Sequence, residues 1–112
     1  MRKLNRKEQQ LVARVWPDSK LKGFDAKVHY QRQPTHNSLR EAALLQKNRE
    51  DAGVDYDPLT VTVATVKLVA KSGSVTIRNG VAKRCPWDTH DAAVGEGISF
   101  ARALRAKPIK VA

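Results

Sequence analysis

A chain of 112 residues with 41% apolar residues holds enough hydrophobic material for one core, and with only 5% aromatics that core must be built from Val, Leu, Ile and Ala. The net charge of +10, from 21 Lys/Arg against 11 Asp/Glu, makes the chain a partner for polyanions whatever else it does. The composition excludes a chain disordered throughout, a membrane span of about 18 apolar residues, and a secretory signal at Met1–Lys7, behind which no apolar stretch stands.

In chain order, residues 5–16 read as a helix. Asn5 is its cap, Glu8 stands three residues on as in a capping box, and Leu11, Val12, Val15 and Trp16 form an apolar stripe. Pro17-Asp18-Ser19 ends it. Phe24, Ala26, Val28 and Tyr30 alternate with Asp25, Lys27, His29 and Gln31, the period of a half-buried strand, so Phe24 and Tyr30 are expected inside. Pro34 stops this strand. Ser38 and Glu41 make a second capping box for a helix over 39–52, with Leu39, Ala42, Ala43 and either Leu44 or Leu45 inward and Gly53 as its C-terminal cap. Val54–Pro58 is an acidic connector.

The strongest strand signal is the Val- and Thr-rich run 59–70. Lys71–Ser74 turns it back into a strand carrying Val75, Ile77, Val81 and Ala82, a hairpin over 59–85 that Asn79-Gly80 is expected to bulge or end early. Pro86-Trp87-Asp88 opens the last helix, with Asp88 as cap and Val94, Ile98, Ala101 and Leu104 at helical spacing. Gly95 and Gly97 each cost a helix interior about 1 kcal/mol, which points to a close approach to the sheet or a kink. Pro108 ends the helix, and residues 108–112 are expected to be a loose tail. These elements predict a single α+β domain over 1–112: two layers, a three-stranded, mostly antiparallel sheet with helices on one face, in the order α-β-α-β-β-α.

Residues 1–40 carry ten Lys/Arg against three Asp/Glu, residues 41–58 two against five, and residues 59–112 nine against three. Two basic clusters are therefore candidates for phosphate contact. Arg2, Lys3, Arg6, Lys7 and Arg14 form the first, extended by Lys20, Lys22 and Lys27. Arg78, Lys83 and Arg84 form the second, with Arg78 and Arg84 on one strand face if no bulge intervenes. For both, a solvated surface is the competing reading. Trp87 is the candidate partner contact, against the alternative that it closes the edge of the core. Trp16 reads as core.

Cys85 is the only cysteine, which forbids an internal disulfide. It reads as a small buried hydrophobe rather than a nucleophile. No Cys-x-x-Cys or His-x-x-x-His spacing suggests zinc. Helix capping accounts for Asp88 and Asp91 around His90. No glycine-rich phosphate loop, nucleophile elbow or paired Glu motif is present, so neither an enzyme nor a cofactor is expected.

The segment Gly80-Val81-Ala82-Lys83-Arg84-Cys85-Pro86-Trp87-Asp88, followed by Gly95-Glu96-Gly97-Ile98 and Ala101-Arg102-Ala103-Leu104, resembles a pattern of small proteins encoded by tailed bacteriophages. These place a Val/Thr-rich hairpin ending in Gly-x-Ala before a Cys, a Pro and an Asp, then a Gly seven residues beyond the Asp. The Cys–Pro spacing here is one residue shorter, and Ser99 and Phe100 depart from the pattern. The resemblance implies a source, the cytoplasm of a bacterial host, and no catalytic residues. The hairpin, Gly-x-Ala step and Ala-rich helix are also similar to the end of a double-stranded-RNA-binding domain, whose last helix starts with phosphate-gripping lysines. Asp88, His90 and Asp91 stand there instead, and two carboxylates repel a phosphate.

The expectation is a non-enzymatic accessory protein that binds DNA or RNA, or a host complex that carries it, through Lys/Arg surfaces. The alternative is an inhibitor or modulator that binds a host nucleic-acid-processing protein such as RNA polymerase, a nuclease or a CRISPR effector. A virion component is a third reading.

Overall fold

Five antiparallel strands form one sheet in the order β1-β2-β3-β4-β5, so that each strand pairs with the next in sequence. The computed structural model describes residues 1–16, 24–46, 58–84 and 92–111, without the side chains of 38, 41, 42, 45 and 46. The elements are β1 (Arg2–Lys3), α1 (Arg6–Val15), β2 (Phe24–Gln33), α2 (His36–Gln46), β3 (Val61–Ala70), β4 (Val75–Lys83), α3 (Ala92–Arg105) and β5 (Ile109–Lys110).

The class is α+β, but the expectation of three strands in the order α-β-α-β-β-α is corrected. Among the described residues the sheet has five strands and the order is β-α-β-α-β-β-α-β. The two added strands are edges of two residues each, too short to show any alternation. Arg2 and Lys3 pair with Val28 and Lys27. Lys110 and Ile109, placed by sequence in the tail, pair with Thr76 and Ile77, and the Val111 amide donates to the Val75 carbonyl at 2.9 Å. Short, charged edges of this kind limit strand addition by other chains.

Register decides which side chains share a face. Val28 lies opposite Val66, Tyr30 opposite Ala64, Ala64 opposite Gly80 and Val66 opposite Arg78. The core gathers on this side: Val28, Ala64, Val66 and Leu68 from the sheet, Val12 from α1, and Phe100, Ala103 and Leu104 from α3. No bulge occurs at Asn79-Gly80, since the pairing runs unbroken from Val61–Lys83 to Val69–Val75. Gly73, at φ +87°, makes the turn between β3 and β4, a conformation that glycine adopts without strain.

Gly80 lets α3 sit on the sheet. A methyl group built there would overlap the Ser99 carbonyl and the Ala103 amide. The tightest approach is thus at a strand glycine. The close approach expected of the helix glycines holds at Gly95, where an added methyl would lie a tight 3.0 Å from Thr62 Oγ1, but not at Gly97, which faces open space. The buried face of α3 is also rotated from the expected one. Ser99, Phe100, Ala103 and Leu104 are inside, whereas Val94 and Ile98 are exposed. Phe100 outweighs both as apolar surface, and the buried Ser99 hydroxyl is satisfied by the Glu96 carbonyl at 3.0 Å.

Two further expectations fail. Phe24 is exposed, because it lies at the start of β2 beyond the cover of the core. In α2, which begins at His36 rather than 39, Leu39, Ala43 and Leu44 are exposed, while the side chains of Ala42 and Leu45 lie outside the described ones. Gly53, the acidic connector up to 57, Cys85, Asp88, His90 and Asp91 lie outside the described residues.

Candidate polyanion-binding face

Among the described residues α1 and α3 cover one side of the sheet and leave the opposite side open, and alternation dictates what it displays. Lys3 pairs with Lys27, Lys27 with Lys67, Lys67 with Ile77, and Ile77 with Ile109. Three lysines thus stand side by side on neighbouring strands, which are about 4.8 Å apart. Among the described residues their side chains make no ion pair or hydrogen bond. Like charges placed opposite one another are unfavourable, by roughly 1 kcal/mol per pair in water-like surroundings.

The next row is polar, with His29 opposite Thr65 and Thr65 opposite Asn79. The Thr65 hydroxyl donates to Asn79 Oδ1 at 3.0 Å. On β2 the whole open face is polar: Asp25, Lys27, His29, Gln31 and Gln33. On β4 and β5 it is mainly aliphatic, with Val75, Ile77, Val81 and Ile109. Lys83 closes β4 opposite Val61, six residues along β3 from Lys67 and so about 20 Å away. Among the described residues the face carries no Phe, Tyr or Trp; its one ring is the His29 imidazole.

The N-terminal basic cluster is divided by the sheet. Arg2 and Lys3 alternate, so Lys3 faces the open side while Arg2 faces α1. There Arg2 Nη1 and Nη2 grip the two oxygens of Glu8 at 2.7 and 3.1 Å. Glu8 is 4% exposed and fully engaged. It also accepts from the Tyr30 hydroxyl and from the Asn5 amide at 2.8 Å, while Asn5 Oδ1 accepts from the Glu8 amide at 2.9 Å, which completes the capping box. Burial alone would raise the Glu8 carboxyl, but the hydrogen bonds from Arg2, Tyr30 and Asn5 outweigh it and hold it below the usual carboxylate value. Burial, and then the bond to Glu8, pushes the Tyr30 hydroxyl well above its ordinary value. With every acceptor taken, this is a structural cluster rather than an acid/base site.

Arg6, Lys7 and Arg14 are exposed on α1. Lys7, Gln10 and Arg14 line one wall of a groove of about 400 Å³ between α1 and α3, with Glu96 on the other. They form a second basic surface on the helix side. Arg78 and Arg84 share the helix-covered face, but both turn to the fold. Arg78 stacks on Trp16 and donates to the Leu104 and Ala106 carbonyls. Arg84 Nη2 donates to the Leu59 carbonyl at 3.1 Å, as does Arg32 Nη2 at 2.8 Å. Lys20, Lys22 and Trp87 lie outside the described residues.

Sequence reading therefore placed Lys3 and Lys83 among the candidates and offered Lys27 only as an extension, but missed Lys67. The signal for Lys67 is its single charge within a Val/Thr strand, which register alone converts into a row. No described helix is long and apolar enough to cross a membrane. No protein-family model, no curated protein and no solved structure matches the chain.

Proposed function

We propose that this chain is a small, basic, non-enzymatic accessory protein of the phage type that acts in the cytoplasm of a bacterial host and binds DNA or RNA through phosphate contacts. The observation that carries this reading is the Lys3–Lys27–Lys67 row, in which three cations share one face, with no ion pair and no covering element among the described residues. A polyanion turns their mutual repulsion into attraction and releases counterions on binding. With no Phe, Tyr or Trp on the described part of this face and one imidazole, His29, its lysines favour contacts to the backbone over a platform for stacked single-stranded bases. Such binding is weakly dependent on sequence and strongly dependent on salt.

The second reading is a modulator that docks on a host nucleic-acid-processing protein. It is favoured by the aliphatic half of the same face, Val75, Ile77, Val81 and Ile109, since a partner that covers both halves needs apolar as well as acidic surface. Capture from a bacterial lysate with and without nuclease separates the two. Loss of captured material on nuclease treatment, together with a gel shift of mixed DNA and RNA that weakens between low and moderate salt, is the expected result. One host protein retained after nuclease, with no gel shift at low salt, establishes the second reading in its place.

A further inference from the structure

On the other side of the sheet, Arg78 has a cation's problem that the fold solves only in part. Its guanidinium lies 4.9 Å from the Trp16 ring centre, and Nη1 donates to the Leu104 carbonyl at 3.2 Å and to the Ala106 carbonyl. These are carbonyls at the C-terminal end of α3, where the helix dipole favours a positive charge. No carboxylate pairs with Arg78 among the described residues, and its buried Nε has no hydrogen-bond partner. Burial pushes the group below its ordinary value, although a guanidinium stays charged in a protein. Nη1 is committed to the two carbonyls and Nε is itself buried, so the donors left for a carboxylate oxygen are those of Nη2.

The same guanidinium borders a cavity of about 490 Å³, within the size range of small-molecule sites. Its other walls are mainly apolar, Trp16, Phe24, Leu68, Ala70 and Pro108, with Ser74 and Thr76 as the hydroxyl-bearing members. Phe24 is left exposed at this cavity rather than packed into the core. An apolar cleft with a single, incompletely satisfied cation at its wall matches a ligand with an apolar body and one anionic end. A phosphodiester chain does not fit, because its charges recur along the strand while this site offers one cation among apolar groups.

We propose that the Trp16–Arg78 cleft binds a small amphipathic carboxylate, with the carboxylate on the Arg78 guanidinium and an aliphatic or aromatic body against Trp16, Phe24 and Leu68. This site is separate from the lysine row, which projects from the opposite face of the sheet, and its failure would leave the polyanion reading untouched. The test is titration of the full chain with octanoate and, in parallel, 1-octanol, followed by amide and indole chemical shifts. Octanoate is expected to move the Trp16 indole and the Thr76 amide and to bind at least tenfold more tightly than octanol. Ala70→Phe fills the cavity without touching the cation and should abolish these shifts. Arg78→Gln should bring octanoate down to the level of octanol; should that variant not fold, Ala70→Phe still decides. Equal affinity for octanoate and octanol, no binding of either, or octanoate shifts that survive Ala70→Phe would each overturn the proposal.

Discussion

At Glu8 a single carboxylate joins the entry to α1, the edge strand β1 and the middle of β2. Its partners are Arg2, Tyr30 and the Asn5 amide, and its folded-state value is lowered by them. A carboxyl lowered on folding contributes stability that is present in full above the unfolded value of about 4.3 and is lost as pH falls through the folded one. Glu8→Gln is therefore expected to lower stability by about 2 kcal/mol at pH 7, because it leaves Arg2 without its counter-charge and weakens the bonds from Tyr30 and Asn5. The difference from the parent should shrink below about pH 4, where the parent's own carboxyl takes up a proton. Denaturant unfolding at pH 7, 5 and 3 reads this directly; a deficit constant with pH would show that the charge of Glu8 is not what matters. The capping box was legible, since Asn5 and Glu8 stand three apart ahead of an apolar stripe. The use of Arg2 and Tyr30 was not, because both reach Glu8 from a neighbouring element.

Among the elements, α3 shows most clearly what a pattern can and cannot say. Its existence and its end at Pro108 follow from local signals, yet its buried face follows from its seat on Gly80. Of the two glycines that are costly in the helix only Gly95 lies close to the sheet, and the tighter contact is that of Gly80 in the strand below, against the backbone of the helix. Gly80→Ala is expected to destabilise the fold by about 3 kcal/mol or more, since the new methyl meets backbone that cannot move alone. Gly97→Ala meets nothing within 4 Å and should stabilise by about 1 kcal/mol through helix propensity. Thermal unfolding of the two variants checks both signs, and a tolerated Gly80→Ala would refute this seating of α3. The edge strands β1 and β5 escaped sequence reading for a different reason. Two residues hold no period, and only their partners in β2 and β4 define them.

For the whole molecule, the division of charge by the sheet carries the functional reading. The sequence shows that the chain is basic and where along it the lysines fall, but not that Lys3, Lys27 and Lys67, separated by tens of residues, are neighbours. Nor does it show that Arg2, Arg78 and Arg84 are held by a carboxylate or by carbonyls of the fold. Among the described residues the candidate cations thus fall on two surfaces, the lysine row on the open face and Arg6, Lys7 and Arg14 on α1. The most direct test compares the salt dependence of duplex binding by the parent, by a Lys3→Gln/Lys27→Gln/Lys67→Gln variant and by an Arg6→Gln/Lys7→Gln/Arg14→Gln variant. If the open face holds the phosphates, the lysine variant lowers the slope of log K against log salt by about 2.7, or about 0.9 per lost contact, and folds no less stably than the parent. A parent slope kept by the lysine variant and lost by the α1 variant would contradict the account.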